Sequence, residues 1–257
     1  MKKISLVVLI SLIFTFGQAI AGTDGENSLS KESNGEVKDC FEGVNRAFFA
    51  FNKGLDNVLI EPLARGYRYL PSPVKIGTSN FLSNLSLLVT IPNNVLQGDM
   101  KNAGKNTARF AVNSTVGILG LFDPATKLGL NDYEKEDYGQ TLATWGVSEG
   151  CYIVLPILGP STARDTIGSL ASYLGGDAWY NVTVRNDTQY FSDFDYYASR
   201  GTSGVDFRAK NLESFDSLEK TSIDLYASIR SLYLQDRQRK IKNIDQATET
   251  MSDDDWE

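Results

Sequence analysis

No residue of this 257-residue sequence is a histidine, and that narrows the available chemistry before any element is placed. The usual general base for a Ser or Cys nucleophile is missing, and so is the commonest zinc ligand. Two cysteines, Cys40 and Cys151, are too few for a Cys-rich metal site. Carboxylates are plentiful, so carboxylate-only chemistry stays open. The acidic clusters Asp132 to Asp137 and Asp253 to Asp255 could hold a hard cation through oxygen ligands. Neither follows the EF-hand pattern, and a solvated charge run is the commoner outcome. Gly98 to Gly104-Lys105 approaches a phosphate-binding loop, but five residues separate the glycines where the motif has four. Asn106 also stands where a Mg²⁺-binding Ser or Thr belongs. No G-x-S-x-G elbow is present. Histidine-based catalysis is excluded, no metal or cofactor is expected, and a carboxylate-dependent hydrolase is the remaining enzymatic reading.

The chain opens like an export signal. Lys2 and Lys3 precede an apolar run from Ile4 to Phe16, and Ala19-Ile20-Ala21 supplies a small-x-small cleavage pattern before Gly22. The run is short for a membrane span; a retained N-terminal anchor is the alternative. The first cysteine is Cys40, far from the cleavage point, so the expectation is an exported protein that is not a lipoprotein. The formal charge of −7 grows more negative once the signal lysines are removed. Such acidity argues against nucleic acid and against polybasic adhesion to anionic lipid. Membrane contact would have to come through apolar surface.

Composition divides the rest into a flexible linker over residues 22–38, one continuous region over 39–239 and an acidic, disordered tail over 240–257. Asp39 and Glu42 form a capping-box pattern, followed by Phe41, Val44, Phe48, Phe51 and Leu55 at helical spacing. That aromatic stripe suits either a core-facing helix or one lying in a membrane interface. Leu87, Leu88 and Ile91 belong to a second apolar stretch, which Pro92 should kink or end. Leu96 to Asp99 reads as a turn into a helix from Met100. Val116 to Phe122 is apolar and glycine-punctuated, and Asp123-Pro124 starts a new turn. Tyr152 to Pro156 reads as a strand or an extended loop, and a late helix runs from Asn211 to Arg239. Helical spacing dominates, so the fold class is mainly α.

The ordered set Asp39 to Arg46, Phe51-Asn52, Asn80 to Leu85, Leu96 to Asp99, Arg109-Phe110, Asn113 to Gly117 and Gly120 to Ala125 resembles the MlaA/VacJ family. Further matches are Asp137 to Leu142, Trp145 to Val147, Tyr152 to Ser161, Arg164-Asp165, and Asp224, Tyr226, Arg230, Tyr233 and Gln235. The resemblance implies a ring-shaped, single helical domain embedded in or attached to a membrane leaflet, at the periplasmic face of the Gram-negative outer membrane. It implies removal of mislocalised phospholipid from the outer leaflet and transfer to a soluble periplasmic carrier, which maintains lipid asymmetry. A trimeric porin is the implied membrane partner. A periplasmic structural or lipid-binding protein without a transport role is the rival.

By the same resemblance, Gly117, Ile118, Leu119, Gly120, Leu121, Phe122, Asp123 and Pro124 form a mobile hairpin beside a lipid channel. Tight packing is the other use of Gly117 and Gly120. Phe48, Phe51, Leu87, Leu88 and Ile91 are expected to face the membrane. Cys40 and Cys151 each hold a position where the family usually has proline. Two departures of one kind, in an exported chain, suggest a Cys40–Cys151 disulfide, with two buried free thiols as the alternative.

Overall fold

The computed structural model describes residues 37–131, 134–172, 177, 180–181 and 192–242. The signal, most of the linker and the tail beyond Lys242 lie outside them. The first helix, α1 (Glu42–Leu55), begins without the side-chain cap that Asp39 offered. Asp39 instead accepts hydrogen bonds from Asn45 Nδ2 (2.7 Å) and from the Tyr226 hydroxyl. A single π-helical turn, Asp56–Ile60, leads into α2 (Glu61–Arg68).

A hairpin of β1 (Tyr152–Leu155) and β2 (Gly159–Thr162) pairs antiparallel, with Tyr152 opposite Thr162 and Leu155 opposite Gly159. The outer edge of β1 is satisfied by side chains of α1. Asn45 donates to Tyr152 O (3.0 Å) and accepts from Val154 N (2.9 Å). Two turns along, Asn52 donates to Leu155 O (2.8 Å) and accepts from Ile157 N (2.6 Å). Each carboxamide supplies the donor and the acceptor that a neighbouring strand would have offered.

The apolar core is small: Val37, Tyr152, Val154 and Tyr226, with Phe48, Phe49, Tyr233 and Leu234 packed on it. Val37 therefore belongs to the fold rather than to a linker. Its carbonyl accepts from Arg230, and Lys38 O accepts from Tyr152 N at 2.9 Å. Beside this core the disulfide Cys40–Cys151 joins the approach to α1 to the approach to β1, with a Cα–Cα distance of 5.6 Å.

The longest helix, α3 (Ser72–Leu96), continues through Pro92. The expected break is absent because neighbouring side chains anchor this turn. Asn93 donates to Val89 O (2.8 Å) and accepts from Thr141 (2.6 Å), and Asn94 accepts from Asn106 (2.8 Å). Antiparallel to it runs α4 (Met100–Thr115), capped by Asp99, whose side chain accepts from Asn102 N. Asp123 caps α5 (Pro124–Lys127), Asp137 caps α6 (Tyr138–Thr144) and Thr162 caps α7 (Ala163–Ala171). A complete capping box at Ser192 and Asp195 starts α8 (Asp193–Lys210). The expected late helix is two, α9 (Leu212–Thr221) and α10 (Leu225–Ile241), because Ser222 is extended and Asp224 caps a fresh start.

Membrane-facing expectations divide. Phe51 is 55% exposed, and Leu88 and Ile91 are half-buried. Leu87 is 1% exposed, and it lines an internal cavity with Arg109 and Asn113 of α4. Phe48 packs on the apolar core. The helical repeat sends these two toward neighbouring elements while their sequence neighbours turn outward.

Candidate functional site

Among the described residues, twelve hydrophobic side chains are buried against nineteen polar or charged ones, while thirty large hydrophobics are exposed. That inverts the usual arrangement of a water-soluble domain. Eight of those nineteen line three cavities of about 320, 290 and 220 Å³, Arg109, Glu136, Asp165 and Arg237 among them. Val89, Asp137 and Arg200 line both the first and the second, and Lys135 lines both the second and the third. Walls come from α3, α4, α6, α7, α8, α10 and the hairpin.

Charged clusters punctuate these walls. Arg237 donates to Asp137 (2.6 Å) and to Asp165 (2.8 Å), and the Tyr233 hydroxyl donates to Asp165 (2.7 Å). Arg237 and Asp165 are 9% and 7% exposed, whereas Asp137 keeps 47% of its side chain open. Burial pushes the Asp137 carboxyl up, but hydrogen bonds from Arg237, the charge of that guanidinium and the Gln140 amides hold it below the usual carboxylate range. The Tyr233 hydroxyl is raised, by burial first and then by Asp165. In the cluster of Arg200, Asp177 and Tyr196, burial and the Asp177 bond push the tyrosine up to about 12. Arg200 remains half-exposed (50%) although it lines two cavities. Charged heads that are enclosed by protein and still reach solvent describe a wet interior.

The segment Gly117 to Pro124 borders the smallest cavity. Asn80 and Asn84 line that cavity and donate to Leu121 O (3.3 Å) and Leu119 O (3.5 Å). Of the eight residues nominated there, Asp123 is the one that lines it. Its carboxylate caps α5 and accepts from Arg109 (2.9 Å) and Asn113 (2.9 Å). Ile118, Leu119, Leu121 and Phe122 are exposed apolar side chains. Ile118 and Leu119 hold φ of 53° and 56°, and Gly120 holds 92°. Both glycines meet close neighbours. A Cβ on Gly120 would stand 2.5 Å from Asn84 Cβ, and one on Gly117 would stand 2.5 Å from the carbonyls of Asn113 and Phe122.

Sequence reading missed Lys135, Arg200 and Arg237 as a group. Asp137 was read within a solvated acidic run, yet it meets Arg237 a hundred residues along the chain. Asp137, Asp165 and Tyr233 did appear among the resembling residues, which was the available signal.

A helical shell with an apolar outside and a wet, charged interior defines a class of protein that handles amphiphiles at a membrane. Among the described residues, no helix is long and apolar enough to cross one. The family described as MlaA lipoprotein matches residues 37–240. The intermembrane phospholipid transport system lipoprotein MlaA of Haemophilus influenzae is 31% identical over 241 residues, covering 92% of this chain and 93% of that protein. Its namesake of Escherichia coli is 33% identical over 226 residues, covering 85% of this chain and 81% of its own. An uncharacterised protein of Rickettsia bellii is 36% identical over 209 residues, covering 80% and 78%. A solved structure from work on the structural basis for maintenance of bacterial outer membrane lipid asymmetry superposes with a TM-score of 0.67 at 31% identity, covering 79% of this chain and 99% of that one. The chain belongs to the MlaA lipoprotein family. This overturns the expectation of a protein that is not a lipoprotein, since both the family and its transport-system members are described as lipoproteins. Distance of Cys40 from the signal's end was too slender a ground for that expectation.

Proposed function

We propose that this protein removes phospholipid from the outer leaflet of the Gram-negative outer membrane and passes it to a soluble periplasmic carrier, maintaining lipid asymmetry. The observation that carries this reading is the inversion: adjoining cavities lined by charge, among helices that expose large apolar side chains. A phospholipid headgroup crossing hydrocarbon unaccompanied loses hydration at each polar atom, at several kcal/mol. A wet interior offers those atoms partners while the acyl chains stay against apolar surface. The relatives named for intermembrane phospholipid transport support the same assignment. The process breaks no bond, so the protein acts as a transport component rather than an enzyme. A trimeric porin beside the apolar exterior and a periplasmic lipid carrier are the partners this reading requires.

The test is surface-exposed phospholipid in a deletion strain, measured with an amine reagent that does not cross the outer membrane. Labelled phosphatidylethanolamine should rise in the deletion and return to the parental level on complementation. An unchanged level would overturn the reading.

A further inference from the structure

Lys135 sits where two of the cavities meet, sharing one with Asn80, Asn84, Arg109 and Asp123 and the other with Thr90, Glu136 and Arg200. The cations around it are engaged: Arg109 with Asp123, Arg200 with Asp177, Arg237 with Asp137 and Asp165. Lys210 pairs with Asp206, and Lys240 with Asp236. Among the described residues, the Lys135 ammonium has no hydrogen-bond or ion-pair partner of this kind, though its backbone carbonyl accepts from Gln140. Its side chain is exposed to solvent while lining internal space.

On the transport reading above, we infer that Lys135 is the cation that receives the phosphate diester of a phospholipid headgroup inside the protein. An ammonium left unpaired beside two cavities lacks the partner that nearby arginines already have, and an anion entering there supplies it. Other charges reinforce the preference. Lys210, Lys240 and Arg200 repel the Lys135 charge, and Asp206 opposes them. Enclosure by protein lowers the Lys135 pKa first, those neighbouring cations add to it, and a bound anion would offset both. Around these two cavities Arg109, Lys135 and Arg200 stand against Asp123, Glu136 and Asp137, so the attraction for an anion comes from the one ammonium without a partner and not from a net positive lining. A compact point charge on a flexible stem suits a headgroup that must be held briefly and released, whereas a bidentate arginine clamp would hold it more rigidly.

The experiment compares the full chain with its K135E and K135R forms after incubation with vesicles of phosphatidylethanolamine and phosphatidylglycerol. Lipid phosphorus retained by re-isolated protein is the readout, and vesicles doped with radiolabelled diacylglycerol, which has no phosphate, supply a parallel arm. K135E should retain about tenfold less phospholipid, K135R about as much as the parent, and diacylglycerol retention should be equal in all three. Equal melting temperatures would show that all three forms are folded. Loss of both lipids together in K135E, or of neither, would overturn the assignment. Binding of inorganic phosphate, followed by equilibrium dialysis, separates the two sources of the same chemistry. A Lys135-dependent phosphate uptake with no effect on phospholipid would overturn the lipid headgroup as ligand. If the parent retains no more phospholipid than diacylglycerol, the transport reading fails, which differs from failure of Lys135 within it.

Discussion

Arg237, near the end of α10, reaches across to Asp165 at the start of α7 with a 2.8 Å hydrogen bond, in a pair 9% and 7% exposed. The same guanidinium also bonds Asp137, the cap of α6, so one side chain holds three helices together at the cavity wall. No room is left for a larger residue nearby: a Cβ on Gly139 would lie 2.5 Å from Asp165 Oδ1 and 2.7 Å from Arg237 Nη2.

Removing Arg237 should destabilise the fold strongly. R237A removes one of the two cations on buried Asp165, which keeps Arg164 at 3.1 Å and the Tyr233 hydroxyl, so the loss should approach but not exceed the about 3–5 kcal/mol of a fully broken buried pair. The half-open Asp137 contributes less, because water reaching it screens its share. Chemical denaturation of parent and variant measures the difference. A loss under about 1 kcal/mol would place the pair among interactions of surface strength.

Acid should weaken the protein. Asp123 and Asp137 are both held below the ordinary carboxylate value: burial raises each, but hydrogen bonds and the facing arginine outweigh it. A depressed carboxylate stabilises the fold at pH values above its unfolded pKa of about 3.9, and that contribution disappears as pH falls through the folded value. Thermal melting should therefore hold steady from neutrality to about pH 5 and decline below about pH 4. In R237A, Asp137 loses its main cationic partner, so this decline should be shallower.

Gly120→Val should cost stability rather than only motion. Its φ of 92° is one that a β-branched residue avoids, and the new Cβ would press on Asn84. A loss of roughly 2–3 kcal/mol is expected, combining backbone strain with overpacking. G117V meets the Asn113 and Phe122 carbonyls and should behave alike. Melting curves beside lipid-removal assays separate this from a purely mobile hairpin, which would lose activity with stability unchanged.

Reducing the disulfide should lower stability without dismantling the hairpin. Cys40 and Cys151 are separated by 111 residues, and the chain-entropy model allows up to roughly 4–5 kcal/mol for a loop of that length. Strand β1 keeps its Asn45 and Asn52 bonds when the bridge is opened. A C40S/C151S double variant should melt at a lower temperature with its far-ultraviolet dichroism preserved. Two thiols titrating in the unreduced, denatured parent would remove the basis for this expectation.

Local signals were legible in the chain: the helical class, the Asp99 start of α4, the turn at Asp123-Pro124 and the extended Tyr152 segment. Each depends on residues a few positions apart, and backbone capping and side-chain periodicity act over that range. What lay beyond reach depended on partners distant in sequence. Asp39 looked like a cap because the Tyr226 hydroxyl that donates to its carboxylate is 187 residues away. Pro92 looked like a helix end because the Asn93–Thr141 bond that anchors its turn spans 48 residues. Leu87 and Phe51 are equally apolar, and only the packing of α3 on α4 buries the first while the second stays open. The sequence by itself determined helical elements, an acidic and histidine-free chemistry, and membership of a lipid-handling family. The tertiary structure decided which charges line the cavities and which of them pair, because such pairing arises when distant helices close around common space.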